Sequence, residues 1–518
     1  MRILECFVKR KQGTDLRNHK GSLLMSSYLI IVVLMILGAL FVVMSYTESR
    51  VAERNRLAMQ AFYIAEAGIE RGLYDLRQDF VLDSSPSWAD GDINGIDVTA
   101  EGGPDTVNYY ELPYPSTSLN GGSYLVELKN VGADSIWVKS TGTLGDVTQT
   151  ILVYGKMQNL SPWNNAIFAG AGASGAAVNG NVEIRGSVHI LGSDLDPTDY
   201  AVDLGGTAEL VGNNYNGLDA ALLPKVPVLP TTIYNGENVS TLNAELRVKV
   251  GKVGLSGSAT VGEVDVPANS TKETVDNVFV TNGWGGTGGT GNVHSDNGWS
   301  NSYDLGDSVS FPSLSDPYGA GTYQEYLESN ALVISADADL DTLANIDPNS
   351  NFSFSGPKGS ISMDGNGNLT ISGIVYINDP DGTTTTKGDL NMDKDGSDKT
   401  ITYTGTGSIL SEGDANINVN LITSGDNSFP NNILGIMTPQ KINFDEANIN
   451  VMGLFYAEDE IKSQKQTDVM GTFVSNYFNM GTNVPKIYQV PDVIYHLPPG
   501  LIGQEGAWVM KIVSWEKL

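Results

Sequence analysis

The stretch HKGSLLMSSYLIIVVLMILGALFVVMSYTESR, from His19 to Arg50, contains the most apolar segment of the chain. Leu23 to Met44 form a nearly continuous apolar run of 22 residues, which as a helix at about 1.5 Å per residue is long enough to cross a bilayer. A secretory signal usually has a shorter apolar core that ends in a small-residue cleavage site, and no Ala-x-Ala pattern closes this run. Basic residues before the run and an acidic chain after it predict a single-pass anchor with its N-terminus inside.

The rest of the chain is strongly acidic. The formal net charge of the 518 residues is -30, and the first 21 residues are basic. Such a surface repels nucleic acid, so no nucleic-acid partner is expected. The one cysteine, Cys6, precedes the anchor, which excludes disulfides, zinc–thiolate sites and cysteine nucleophiles from everything after it. With four histidines in the chain, a multi-histidine metal centre is not expected.

The helix is predicted to continue past the membrane run. No proline interrupts Ser22 to Phe80, so a single helix over residues 22–80 is allowed. Apolar residues recur there at spacings of three and four, which is typical of one buried helical face. The predicted stripe consists of Ala58, Phe62, Ala65, Ile69, Leu73 and Leu76.

These residues resemble the N-terminus of PilX-type minor pilins of type IV pilus systems. The resemblance rests on KGSLLMSSYLIIVVLMILGAL (20–40) together with QAFYIAEAGIERGLYDL (60–76). It implies that a prepilin peptidase cuts between Gly21 and Ser22, after Lys20, and removes residues 1–21 as a leader. Major pilins usually carry glutamate at the fifth mature position. This chain has Ser26 there, so the resemblance points to a minor subunit.

The region after the helix is predicted to be a small antiparallel sheet. Alternating apolar and polar residues predict strands over 123–130, 135–144 and 147–157, and Gly145-Asp146 forms a turn between the last two. Helix plus sheet, over residues 22–160, is the arrangement that a pilin head needs.

Residues 161–500 are predicted to form a parallel β-solenoid, with insertions at about 222–345 and a C-terminal tail over 501–518. The fold class is therefore α+β followed by mainly β. The prediction rests on an 18-residue interval between Ile433-Leu434-Gly435, Val451-Met452-Gly453 and Val469-Met470-Gly471, each read as two apolar residues and a turn glycine. Asn416, Asn418 and Asn420 are expected to form ladders between coils. A β-sandwich with coincidental spacing is the alternative fold.

Three further segments in this region carry predictions. LLPKVPVLP (222–230) is expected to be an extended connector, GWGGTGGTGNVHSDNG (283–298) a flexible loop, and TYQEYLESN (322–330) a helix. The glycine loop does not open a helix and lacks the lysine of a phosphate-binding loop.

The region contains one candidate metal site and one dense acidic cluster. Asp393, Asp395 and Asp398 surround a turn glycine as in a calcium loop, but Thr404 stands where an EF-hand has its twelfth-position carboxylate, and a solvated turn is the simpler interpretation. Glu458-Asp459-Glu460 is the densest acidic run of the repeat region, and a solvated edge is expected there. No cofactor is expected, apart from Ca²⁺ at Asp393, Asp395 and Asp398 if that loop binds a metal.

The predicted function is assembly without catalysis. The chain is expected to sit in the bacterial cytoplasmic membrane, to be processed by prepilin peptidase, and then to join other pilin subunits in a filament that it initiates or caps at the cell surface. The solenoid would contact polysaccharide, a host or abiotic surface, or another subunit. One alternative is a membrane-anchored carbohydrate-active enzyme, which needs clustered carboxylates with arginine or lysine on one solenoid face. Another is a purely structural, surface-anchored scaffold without a pilus.

Overall fold

The chain forms two compact units in the computed structural model. The first unit comprises Met1–Gln158 with Val509–Leu518, and the second comprises Asn159–Trp508. The structure describes residues 19–82, 88, 92–93, 96–97, 108–132, 135–173, 177–178, 180–299, 303, 309–380, 388–396, 399–481, 485–503 and 508–518.

The first unit consists of one long helix and a six-stranded sheet with a separate two-stranded ribbon. Its elements are α1 (His19–Leu82), β1 (Asp92–Ile93), β2 (Ile96–Asp97), β3 (Tyr110–Glu111), β4 (Ser118–Leu119), β5 (Gly122–Gly132), β6 (Ser135–Leu144), β7 (Val147–Asn159) and the last strand of the chain, β36 (Trp508–Lys517). The three predicted strands are present as β5, β6 and β7, which form antiparallel pairs. The predicted helix is confirmed as one continuous element.

The second half of α1 packs on this sheet. Its buried apolar side chains are Ala61, Ile64, Ala65, Ile69 and Leu76. Three residues of the predicted stripe, Ala58, Phe62 and Leu73, are only half-buried. β6 approaches the helix closely at Gly142, where a Cβ atom would lie 2.2 Å from the carbonyl oxygen of Ala61. Ala61 and Ile64 are buried although they lie outside the predicted stripe, so the buried face is rotated slightly from that stripe.

The end of the chain completes the sheet of the first unit. β36 lies beside β7 at one edge, and the backbone N–H of Leu518 donates to the carbonyl oxygen of Thr150 at 3.0 Å. The Trp515 ring meets the Phe62 ring of α1 edge to face at 5.8 Å. Residues 501–518 were predicted to be a tail, and this prediction is wrong for the ten residues of β36. The pairing joins distant parts of the chain, which a local pattern does not reveal.

The second unit is mostly β-structure. Its strands are β8 (Ile167–Ala173), β9 (Ala177–Val178), β10 (Glu183–Arg185), β11 (Val188–Ile190), β12 (Tyr200–Leu204), β13 (Glu209–Gly212), β14 (Thr231–Tyr234), β15 (Glu237–Ser240), β16 (Glu245–Val248), β17 (Lys252–Leu255), β18 (Thr260–Val261), β19 (Asn277–Val280), β20 (Trp284–Gly285), β21 (Pro317–Tyr318), β22 (Gly321–Thr322), β23 (Leu332–Ile334), β24 (Asn351–Gly356), β25 (Gly359–Asp364), β26 (Asn368–Ile377), β27 (Leu390–Met392), β28 (Thr400–Ser411), β29 (Ala415–Ile417), β30 (Asn420–Thr423), β31 (Ile433–Thr438), β32 (Ile442–Phe444), β33 (Ile449–Ser463), β34 (Thr467–Asn479) and β35 (Lys486–Tyr488). Two helices accompany them, α2 (Tyr323–Asn330) and α3 (Asp337–Leu343).

Parallel pairing dominates the second unit. One ladder of parallel pairs runs in the order β23-β26-β28-β31-β33-β34-β8-β11-β16-β19. The chain enters this ladder in its middle, because β8 pairs with β34 on one side and with β11 on the other. Strands 8 to 19 lead outward to one end of the ladder. Strands 23 to 34 begin at the opposite end and lead back to β8, so two halves of the chain meet there.

Further parallel ladders run beside the first. A second ladder has the order β26-β28-β30-β33-β34-β35-β10-β13-β18. β27, β29, β32 and β33 form a third, and β9, β12, β17 and β20 form a separate parallel sheet. Long strands contribute to more than one ladder. In β28, for example, residues 400–403 pair with β30 and residues 406–410 pair with β31.

The 18-residue interval gives the correct register for one strand pair. Val451, Met452 and Gly453 lie beside Val469, Met470 and Gly471, as the interval predicts. The earlier repeat is displaced by one residue, because Gly435 pairs with Leu454. The glycines also lie within strands and not at turns, so their prediction as turn glycines is wrong. Gly471 has φ +145°, and a Cβ there would lie 1.8 Å from the Gly453 carbonyl oxygen.

The predicted insertion at 222–345 is only partly an insertion. Residues 245–285 contain β16 to β20, which belong to the parallel sheets. The segment predicted as a flexible glycine loop contains β20 and the 3₁₀ helix Gly289–Asn292. The helix predicted over 322–330 is confirmed as α2. It begins with a capping box between Thr322 and Glu325.

The predicted asparagine ladder is present at Asn416, whereas Asn418 and Asn420 donate to other residue types. Asn416 donates to Asn391 on β27 at 2.6 Å and accepts from Asn443 on β32 at 2.9 Å. Asn418 donates to Asp393 at 2.8 Å, and Asn420 donates to Thr400 at 3.1 Å. These bonds tie neighbouring strands through their side chains.

Aromatic rings fill part of the core of the second unit. Phe444, Phe455 and Phe473 are fully buried, with ring centroids 5.2 to 5.8 Å apart. Phe455 and Phe473 occupy matching positions on β33 and β34, so parallel register brings like rings together.

Candidate functional surfaces

The first half of α1 is an apolar surface without cover in the described chain. Its side chains from Leu23 to Met44 are nearly all exposed, with 71% of Leu23 and 58% of Met44 accessible. The helix has the length and apolar composition needed to span a membrane. The predicted processing residues Lys20, Gly21 and Ser22 lie in its first turn. Residues 1–18, which include most of the predicted leader, lie outside the described residues.

The Arg71 side chain connects the second half of α1 to the sheet of the first unit. The Arg71 guanidinium lies 3.9 Å from the centroid of the Tyr114 ring. It also donates to the Ser116 carbonyl oxygen at 2.7 Å and to the Tyr124 hydroxyl at 2.8 Å. Burial raises the pKa of Tyr114, so its ring stays neutral beneath the cation. These contacts attach α1 to β5 through Tyr124 and to the preceding segment through Tyr114 and Ser116.

The second unit contains a carboxylate–arginine cluster, which we define as Glu183, Arg185, Glu209, Glu263 and Lys486. Arg185 lies 3.0 Å from Glu209, 3.5 Å from Glu183 and 3.7 Å from Glu263. Lys486 lies 3.1 Å from Glu183. Strand pairing assembles the cluster, because Glu183 lies beside both Glu209 and Lys486. Burial raises the pKa of Glu209 to about 8, against the attraction of Arg185.

The carboxylate–arginine cluster is covered by the chain itself. Only 4% of Arg185 and 7% of Glu209 are accessible. Asn214 accepts a hydrogen bond from Arg185 at 3.0 Å, and the carbonyl oxygen of Gly217 accepts one from Lys486 at 3.4 Å. The geometry fits an ion-pair network that ties β35 to β10 where the two halves of the ladder meet. The enzyme alternative needs such groups on an open face, and the central pair is not on one.

The sequence did not reveal this cluster, and the acidic run Glu458-Asp459-Glu460 differs from its prediction. Glu458 accepts hydrogen bonds from the Ser313 hydroxyl at 2.6 Å and the Leu314 backbone N–H at 2.7 Å. Glu460 is largely buried and lies 3.4 Å from Lys441. The expectation of a solvated edge is therefore wrong for both glutamates. Glu183-x-Arg185 was the available local signal for the cluster, because alternate residues of a strand share one face.

Aromatic side chains pack against the parallel ladder at Tyr303 and Phe311. Tyr303 hydrogen-bonds His189, which is fully buried, and burial lowers the pKa of His189 to about 3. Phe311 stacks on Phe168 and on Tyr456, with centroid distances of 6.5 and 5.8 Å. Phe168 and His189 are neighbours on β8 and β11. These contacts hold Tyr303 and Phe311 beside the ladder.

The predicted calcium loop is only partly described. Asp393 accepts from Asn418, and Asp395 accepts from Asn349, so the two carboxylates have different asparagine partners. Asp398 lies outside the described residues. Within the described parts of the chain, no group of three or more His, Cys, Asp or Glu side chains is arranged to hold a metal ion. Calcium binding stays a prediction.

The chain has a pilin-like fold. It is similar to the crystal structure of the competence-associated pilin ComZ from Thermus thermophilus, with a TM-score of 0.50 and 20% sequence identity. The alignment covers 89% of this chain and 97% of that one. No protein-family model matches the sequence, and no curated protein matches it. At this identity the likeness concerns the fold, and it extends over most of both chains.

Proposed function

We propose that the chain is a PilX-type minor pilin of a bacterial type IV pilus system, and that it acts without catalysis. The observation that carries the proposal is α1, whose first half is exposed and apolar while its second half packs on the head sheet. The similarity of the fold to a competence-associated pilin supports it. Prepilin peptidase would cut between Gly21 and Ser22, and the chain would sit in the cytoplasmic membrane with its N-terminus inside.

The proposed mechanism is a transfer of α1 between two apolar environments. Before assembly, Leu23 to Met44 lie in lipid. During assembly they move into a filament, where apolar helices of other pilin subunits replace the lipid. Because one apolar surrounding replaces another, little apolar surface meets water, and the transfer has a small free-energy cost.

The second unit is proposed to be a β-solenoid displayed by the filament. Its parallel ladders, its long strands shared between ladders and its asparagine bonds between neighbouring strands support this interpretation. A unit of this size would obstruct regular packing along a filament, which supports a place where the filament starts or ends. From there it would contact polysaccharide, a host or abiotic surface, or other subunits.

The decisive experiment is N-terminal sequencing of the mature protein together with Gly21→Arg. We expect the mature chain to begin at Ser22, and Gly21→Arg to retain the leader and lose surface display. Gly13→Arg adds the same charge within the leader but away from the junction, and it should be processed normally. A mature protein that begins elsewhere would contradict the proposal, as would normal display of Gly21→Arg.

A further inference from the structure

Lys272 lies in an unusual environment near one end of the parallel ladder. Only 4% of this lysine is accessible, yet its Nζ lies 2.5 Å from Asp276 Oδ1 and 2.6 Å from Asp296 Oδ2. The Tyr234 ring centroid lies 4.9 Å from the same nitrogen. A buried amine is thus held between two carboxyl groups, and an aromatic ring lies beside it.

The backbone on both sides of this contact is fixed. Lys272 N–H donates to the Ser240 carbonyl oxygen at 2.9 Å, and Asp276 N–H donates to the Ala244 carbonyl oxygen at 3.0 Å. Asp296 N–H donates to the Val275 carbonyl oxygen at 3.0 Å. Since each of the three residues is anchored by its own main chain, the side chains meet without a search through many conformations. This is the condition under which a reaction between two neighbouring groups gains most from proximity.

We infer that Lys272 forms an isopeptide bond with the side chain of Asp276, and that Asp296 transfers the protons. The carboxyl carbon of Asp276 lies one covalent bond beyond Oδ1, which places it within about 3.5 Å of the amine, the range of a near-attack geometry. Lysine is a competent nucleophile for a carbonyl carbon once it is desolvated and has lost its proton. The inference is independent of the proposed function.

The step balances without any other reactant. The Lys272 ammonium first gives one proton to the Asp276 carboxylate, which leaves a neutral amine beside a carboxylic acid. The Nζ lone pair attacks the Asp276 carboxyl carbon, and the Asp296 carboxylate takes a second proton from the nitrogen. Asp296 then delivers that proton to the Asp276 hydroxyl, the C–O bond breaks, and water leaves. The product is a secondary amide, and Asp296 is again a carboxylate.

The electrostatics of the two groups fit these roles. Burial raises the pKa of Asp276, which favours its neutral acid form. Burial lowers the pKa of Lys272, but the attraction of Asp276 and Asp296 outweighs this effect and raises it overall. The ammonium form therefore predominates at first, and a carboxylate that can accept its proton is required. Two carboxyl groups around one lysine meet that requirement.

Lys441 provides a matched control within the chain. It also lies between two carboxylates, 3.5 Å from Asp459 and 3.4 Å from Glu460. Its side chain is 43% accessible, however, compared with 5% for Lys272. Water therefore stabilises the ammonium of Lys441, and no bond should form there.

The test is mass spectrometry of the full chain purified in detergent. The isopeptide bond lowers the mass of the wild-type chain by one water molecule. It also blocks trypsin after Lys272, so that one peptide of residues 253–358 replaces peptides 253–272 and 273–358. Fragmentation should place the bond between Lys272 and Asp276. An intact mass without water loss, with normal cleavage after Lys272, would show a simple ion pair and overturn the inference.

Variants assign the roles of the groups. Lys272→Arg and Asp296→Asn should each restore the unmodified mass, and Lys441→Arg should leave the water loss unchanged. An amide mapped to Asp296, or water loss that persists in Asp296→Asn, would overturn the assigned roles. If Lys272→Arg does not fold, the tryptic map of the wild-type chain still decides whether the bond exists.

Discussion

Gly471→Ala is expected to disrupt the central strand pair of the second unit. A Cβ at this position would lie 1.8 Å from the Gly453 carbonyl oxygen, so β33 and β34 must separate locally by more than about 1 Å. The backbone, at φ +145°, also lies in a region that costs a side chain about 1–3 kcal/mol. Loss of two strand hydrogen bonds adds about 1 kcal/mol each. The total is about 3–5 kcal/mol.

Hydrogen exchange measures this loss where it occurs. Since about 1.4 kcal/mol corresponds to a tenfold change, amides of β34 should exchange at least about a hundredfold faster in Gly471→Ala. Gly425→Ala is the matched control, because Gly425 has φ +80° but a Cβ there would meet nothing within 4 Å. Gly425→Ala should lower the free energy of unfolding by about 1–2 kcal/mol, which is the cost of a left-handed backbone for a residue with a Cβ atom. Equal acceleration in the two variants would refute the clash.

Three further predictions concern the core, the ladders and pH. Phe473→Ala should lower the free energy of unfolding by about 3–5 kcal/mol, because its ring is fully buried. Phe354→Ala, at a half-exposed ring in the same unit, should lower it much less. Equal urea midpoints of the two variants would contradict this prediction. Asn416→Leu should lower the free energy of unfolding by about 1–3 kcal/mol, because Asn391 Oδ1 loses its donor and Asn443 Nδ2 loses its acceptor. Unchanged exchange of β29 amides would count against this prediction. The pKa of His189 is lowered to about 3 in the folded protein. Its contribution to the free energy of unfolding is therefore complete above about pH 6.5 and is lost as the pH falls toward 3. His189→Gln should flatten that part of the stability profile, and an unchanged profile would exclude His189 as its source.

The elements that the sequence predicted well depend on local patterns. The apolar run and the spacing after it were enough for α1, and alternation was enough for β5 to β7. The 18-residue interval between Val451 and Val469 predicted the register of β33 and β34 correctly, because residues 18 positions apart lie side by side on these two adjacent strands. The interval fails at Gly435, because its partner is Leu454, one residue further along the chain than the interval predicts.

The features that were missed depend on contacts between distant segments. Lys486 lies beside Glu183, and β36 lies beside β7, although more than 300 residues separate the members of each pair in the sequence. No local periodicity encodes such a pairing. The carboxylate–arginine cluster was missed for the same reason, because its members come from four separate places in the sequence. Glu458 was misjudged because its partner, Ser313, lies in a connecting segment with no strand pattern.

The entry of the chain into the middle of its ladder has a consequence for biogenesis. During synthesis, β8 and the strands up to β19 can pair with one another, but the other side of β8 has no partner until β34 has been made. Ile167 must wait for Phe473. An unpaired strand edge invites pairing with other chains, and long-range closure is slow. A nascent or truncated chain that ends before Thr467 therefore exposes the unpaired edge of β8. We expect this edge to need protection from aggregation until the second half of the unit has been synthesised.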